Sequence, residues 1–178
     1  IGIAIFPETG EDAEQLLQHA DIAMYAAKEA GLDRLSYTAD IDSHSLSRLT
    51  LAADLRRALS ADDGQLVLHF QPAASTTTGR VEVVEALVRW NHPRAGLLPP
   101  MDFVPLAEQS GLIHPLTTTV LDMAVAQARR WMDDGREMAV AVNLSARNLI
   151  DPAIVSQVAA TLERHGLPAR LLELAFRL

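Results

Sequence analysis

Short apolar runs of strand length alternate with stretches of helical spacing along this chain. Residues 1–6 read IGIAIF and are stopped by Pro7 and Gly10, which predicts a buried strand and a turn. Asp12 is placed to cap a helix with Leu16, Ala20, Ala23, Met24 and Ala27 at helical spacing, ended by Gly31. A short strand over 34–38 follows. Asp42 or Ser43 opens the next helix, with Leu46, Leu49, Ala53 and Leu59 as its apolar stripe and Arg48, Arg56 and Arg57 as polar positions. Residues 65–72 and 80–91 predict two strands of a hairpin around a polar turn at 73–79. Helices are expected over 101–110 and 117–133, the second with Val120, Leu121, Ala124, Ala128 and Trp131 near one face. A strand over 138–143 precedes a helix capped by Asp151, with Pro152 at its first position and Gly166 and Pro168 after its end near His165. A last strand is expected over 171–178. From residue 65 onward this alternation predicts a parallel α/β arrangement. A domain boundary falls between Ala39 and Ser43, and with no glycine–serine linker there the coupling is expected to be stiff.

The strand over 80–91 carries charges that packing does not require. Side chains alternate along a strand, so Glu85, Leu87 and Arg89 share one face, and Val84, Ala86, Val88 and Trp90 share the other. Glu85 and Arg89 are roughly 13 Å apart at the usual strand rise, so each needs its own partner. Two readings stand for each polar candidate. Glu85 is a solvated strand carboxylate or a ligand. Asn143, at the end of the strand over 138–143, is a turn cap before Ser145 or a ligand. Arg89 lies against Trp90 or a surface acid, or binds an anion. His92 before Pro93 reads as a turn residue, and Glu108 as a helix-end carboxylate.

Composition narrows the classes. A 49% hydrophobic content over 178 residues suits a folded core. The net charge of −8 argues against binding a nucleic-acid polymer or an anionic membrane, while leaving room for a local anion or cation site. The absence of cysteine excludes disulfides and thiolate chemistry and fits a reducing cytoplasm. The chain shows neither a leader pattern nor an apolar run of membrane-spanning length, so any anchor is expected elsewhere in a longer protein.

The segment VEVVEALVRWNHP at 81–93, with Glu85-Ala86-Leu87 at its centre, resembles the signature of the EAL family of cyclic di-GMP phosphodiesterases. Phe70-Gln71-Pro72 before it, and Pro105-Leu106-Ala107-Glu108 and Asn143-Leu144-Ser145 after it, match the family in the same order. A bare E-A-L triplet carries no weight, but the ordered set is specific. The opening IGIAIFPETG, with ADIAMYAAKEAGLDR at 20–34, resembles the last third of a GGDEF domain, the diguanylate cyclase module often found in tandem with EAL.

Together these resemblances imply an α/β chain with the C-terminal part of an α+β GGDEF domain at 1–40 and the first half of a TIM-like (β/α)8 EAL barrel at 41–178. A closed barrel takes roughly 250 residues. The resemblance implies Glu85 and Asn143 as catalytic metal ligands for Mg²⁺ or Mn²⁺, and Arg89 and, more weakly, Gln71 as contacts to cyclic di-GMP. Carboxylate and amide oxygens suit a hard cation, and a guanidinium suits a phosphate. The implied reaction is hydrolysis of one phosphodiester bond to a linear dinucleotide, with metal-bound water as nucleophile. A homodimer through EAL domains stays open.

The sequence also departs from the pattern. The G-G-D-E-F loop is absent from these residues, so no cyclase activity is expected of the residues present. Lys28, the one lysine in the chain, matches a phosphate-contacting lysine of that family, but Leu32 stands where an arginine is expected. After Leu171-Leu172-Glu173-Leu174 the EAL family continues with a metal-binding glutamate, where this chain has Ala175. Glu173 shares the face of Ala175 but sits roughly 6–7 Å earlier. The expectation is an incomplete site with little or no hydrolysis. A noncatalytic module binding cyclic di-GMP or a protein, and a truncated product without function, remain as alternatives.

Overall fold

The computed structural model describes residues 1–61 and 63–176, and only the backbone of residues 29 and 42–47. Two compact units partition the chain, Ile1–Ala53 and Asp54–Leu178.

In the first unit, β1 (Gly2–Ile3) pairs in parallel with β2 (Leu35–Ser36), and α1 (Ala13–Glu29) packs on both. The side chain of Asp12 caps α1 by accepting from the backbone N–H of Gln15 at 2.8 Å. Ala23 and Ala27 of the expected apolar face are fully buried, whereas Met24 is half exposed. The strand expected over 1–6 is shorter because Ile5 N–H donates to Thr9 Oγ1 and Thr9 N–H returns to the Ile5 carbonyl, folding 5–9 into a turn. Gly2 lies so close to α1 that a Cβ there would come within 1.9 Å of the Ala20 carbonyl oxygen and 2.3 Å of the Met24 nitrogen. Gly2→Ala should therefore force α1 off the strand pair at a cost of about 1–3 kcal/mol, read as a lower unfolding midpoint in urea.

Helix α2 (Ala39–Ala61) begins earlier than Asp42. Its buried positions near the C-terminal end are Asp54, Leu55 and Ala58, and Leu49 of the expected stripe is exposed. Leu46, also in that stripe, lies outside the described side chains. Asp54 turns inward because it meets the His92 ring N–H and the Arg94 guanidinium, described below.

The second unit is built on a sheet in the order β3–β4–β6–β7, with β5 paired to β4. β3 (Leu66–Ala74) and β4 (Val81–His92) form the expected antiparallel hairpin, whose turn is tied by Ser75 N–H to the Arg80 carbonyl and by Gly79 N–H to the Ser75 carbonyl. β3 thus runs into the segment expected as turn. β5 (Gly96–Leu98), absent from the sequence reading, folds back antiparallel on β4. β6 (Ala139–Leu144) and β7 (Leu172–Phe176) then add in parallel. Arg177 and Leu178 of the strand expected over 171–178 lie outside the described residues.

Helices cover the face on which Val84, Ala86, Val140, Val142 and Leu144 are buried. α3 (Pro100–Gln109) places Phe103 edge-on to Trp90 at 5.7 Å, and α4 (Ile113–Asp133) places Trp131 edge-on to Phe70 at 4.9 Å. α4 starts four residues before the expected Thr117 because Pro115 is tolerated in its first turn, where an intrahelical N–H is not needed. A short α5 (Ala146–Leu149) precedes α6 (Ile154–His165), which begins after Ala153 and not at Pro152. The Asp151 carboxylate accepts from Ala153 N–H at 2.9 Å and holds a turn one step ahead of the helix. The outcome is a mixed α/β unit with an open sheet; the described strands do not close into a barrel.

Candidate functional site

The opposite face of the sheet gathers the polar candidates by register alone. Gln71 lies across the hairpin from Glu85, and Glu85 pairs in parallel with Ala141, two residues before Asn143. Paired residues project to one face, so Gln71, Glu85 and Asn143 share it. There Asn143 Nδ2–H donates to Glu85 Oε1 at 2.7 Å. The two residues are 58 positions apart in sequence and are brought together by the parallel β4–β6 ladder. The N-cap of α5 is Ser145, so the cap reading of Asn143 gives way to its bond with Glu85.

Glu85 and Asn143 are among the residues lining a cavity of about 370 Å³ to which the sheet and the helices α3 and α4 contribute. Pro100, Met101, Val104 and Pro105 of α3 supply much of its apolar wall, and Glu108 and Ser145 its other polar groups. Glu108 accepts a hydrogen bond from Ser145 Oγ. Gln71, exposed, and Arg89, half buried, share the sheet face but do not line this cavity. Arg89 donates from Nη1 to the Val88 carbonyl at 2.9 Å, and Trp90 lies on the other face.

His92 is buried, unlike an ordinary turn residue. Its Nδ1 accepts from the backbone N–H groups of Arg94 and Ala95 at 3.2 and 3.0 Å, which leaves Nε2–H to donate to Asp54 Oδ2 at 3.0 Å. Asp54 also takes Arg94 Nη2 at 2.6 Å and a hydrogen bond from Arg57. Its pKa is held below the ordinary carboxylate value, first by the His92 hydrogen bond and then by that of Arg94, against burial, which pushes the other way. The cluster ties α2 to the end of β4, the strand that carries Glu85. Nothing in the Asp54 neighbourhood of the sequence distinguished it from a polar helix position.

Mg²⁺ and Mn²⁺ favour about six oxygen ligands in a near-octahedral shell. Glu85 and Asn143 are donors of the right kind, half buried and adjacent. Asn143 pairs with Ala175 across β6–β7, however, and alanine brings a methyl group to that position. Among the described residues no three His, Asp or Glu side chains converge. The residues present fit one edge of a metal site and not a whole one.

Comparison with known proteins matches two families along the chain. A family model described as EAL domain matches residues 52–177, and one described as diguanylate cyclase, GGDEF domain, matches residues 1–34. The chain is 44% identical over 164 residues to the cyclic di-GMP phosphodiesterase PdeR of Escherichia coli, covering 92% of this chain and 24% of that protein. It is 41% identical over 175 residues to the bifunctional diguanylate cyclase/cyclic di-GMP phosphodiesterase MucR of Pseudomonas aeruginosa, covering 97% and 25%. Among solved structures, the PaMucR phosphodiesterase in complex with c-di-GMP superposes with a TM-score of 0.66 at 44% identity, covering 70% of this chain and 50% of that one. The chain spans about a quarter of the length of these two curated relatives.

Proposed function

We propose, from the premise that this chain belongs to the EAL domain family over residues 52–177, that it serves cyclic di-GMP signalling by presenting part of a phosphodiesterase site. The observation that carries this reading is the Glu85–Asn143 hydrogen bond between two residues that line a largely apolar cavity. In this reading residues 41–178 supply the first half of a TIM-like barrel, and residues 1–40 the end of a GGDEF domain. Glu85 and Asn143 are the metal ligands, and Gln71 and Arg89 are the contacts to cyclic di-GMP. The absence of cysteine suits work in the cytoplasm.

Hydrolysis is not assigned to this chain by itself. Ala175 leaves the ladder position beside Asn143 without an oxygen donor. The chain is expected to bind cyclic di-GMP and not to turn it over.

Calorimetric titration of cyclic di-GMP, with and without Mn²⁺, tests this. Saturable binding is expected, weakened about 10- to 100-fold by Arg89→Ala, the range that follows from losing a charge-assisted hydrogen bond. Glu85→Gln should abolish any gain in affinity from Mn²⁺ and leave metal-free binding in place. Clear production of linear dinucleotide by this chain with excess Mn²⁺, or no binding by a folded, monodisperse sample, would overturn the proposal.

A further inference from the structure

Two residues beyond Asn143, Ser145 carries more bonds than a helix cap needs. Its Oγ accepts from Arg147 N–H at 3.2 Å, and its backbone N–H donates to Asn148 Oδ1 at 3.1 Å, which completes the capping box of α5. Its hydroxyl proton remains, and a hydroxyl has only one to give. That proton goes to Glu108 Oε1, on the last turn of α3, 37 positions away in sequence. Asn148 Oδ1 accepts a second bond from Thr117 Oγ1 of α4, at 3.0 Å. The turn that follows Asn143 is therefore pinned from two helices.

The pinning has a cost that capping alone does not explain. Asn148 is 1% exposed, and its Nδ2 has no hydrogen-bond partner among the described residues. A buried, unsatisfied amide donor costs about 1–3 kcal/mol, comparable to or larger than a typical helix cap contributes. Glu108 itself stands beside Pro105, Ile113 and Leu116 in the largely apolar cavity wall, where a carboxylate loses water for little return unless it is hydrogen-bonded. Both groups converge on the segment whose position decides where the Asn143 amide points.

We infer that Glu108 is a positioning residue for Asn143: by accepting the Ser145 hydroxyl proton it fixes the turn after β6, and so holds the Asn143 amide with its nitrogen on Glu85. This rests on the reading of Asn143 as a ligand, because an amide facing a cation must present its oxygen in one definite direction. It adds Glu108, Ser145 and Asn148 to the site as residues that touch neither metal nor nucleotide.

The test is carried out on the metal-free chain. The side-chain amide of Asn143 is assigned by nuclear magnetic resonance through its disappearance in Asn143→Asp, and its proton exchange is measured in variants. Glu108→Ala and Ser145→Ala should each shift this signal and speed its exchange roughly fivefold or more, with the backbone amides of β4 and β6 keeping their protection. Glu108→Gln, which keeps an acceptor oxygen for the hydroxyl, should restore the wild-type signal. Ser145→Ala also removes the cap bond from Arg147 N–H, whereas Glu108→Ala removes only the bond to the Ser145 hydroxyl and leaves the capping box in place. An Asn143 amide unchanged in either folded alanine variant, or a Glu108→Gln variant that behaves like Glu108→Ala, would overturn the inference. The functional reading fails separately, through absence of cyclic di-GMP binding while the amide coupling persists.

Discussion

Trp90→Ala should destabilise the second unit by about 3–5 kcal/mol, the usual range for truncating a large buried aromatic. Trp90 is fully buried. Its ring meets Phe103 edge-on at 5.7 Å and His92 at 4.8 Å, and its Nε1–H donates to Gln65 Oε1 at 3.1 Å. Truncation leaves a cavity between β4 and α3 and removes the donor from Gln65. Trp90→Phe keeps most of the volume and loses the hydrogen bond, so its cost should be nearer 1–2 kcal/mol. Urea unfolding followed by the fluorescence of the remaining Trp131 measures both. A Trp90→Ala loss below about 1 kcal/mol would mean that this contact does not hold α3 to the sheet.

The second large effect is expected at Asp54. Asp54→Ala removes the acceptor for buried His92 and strands a polar ring N–H in the core, which places the loss at about 1–3 kcal/mol, the range for a buried donor left unsatisfied. Asp54→Asn keeps an oxygen for His92 and should cost less. Arg94→Ala should cost less still, since the arginine is largely exposed and the His92 bond survives. The lowered pKa of Asp54 gives this cluster a pH signature. A carboxylate whose folded pKa lies below its unfolded value contributes stability that is complete above the unfolded value, near 3.8, and is lost as pH falls from there through the folded pKa. Unfolding free energy of the wild type should therefore fall more steeply on acidification below pH 4 than that of Asp54→Asn. Parallel curves would show that the carboxylate does not supply this dependence.

The parts of the fold that the sequence made legible are those where one periodicity acts over many residues. α1 and α4 were readable because apolar side chains recur at helical spacing, and the β3–β4 hairpin because alternation on both sides frames a polar turn. Glu85 and Asn143 were readable as candidates through the ordered motifs, but their contact was not. It depends on a parallel register between strands separated by two helices, and no local pattern encodes that register. β5 escaped because three residues behind a turn hold too few alternations to show a period. The inward turn of Asp54 escaped because its partners lie 38 and 40 positions later, so a charge that reads as solvated is buried by pairing. The same holds for Ser145, whose partner Glu108 belongs to an earlier helix.

The two kinds of strand pairing also differ in when they can form. Gln71 meets Glu85 across a hairpin closed by the turn between Ser75 and Arg80, a local event of the kind that takes microseconds. Asn143 is expected to meet Glu85 later, with the packing of the intervening α3 and α4, because a parallel crossover brings its strands together from far apart in the chain. During refolding the hairpin therefore supplies a template with Glu85 already displayed on it. The bond of the Asn143 amide to Glu85 should then report that β6 has joined this template.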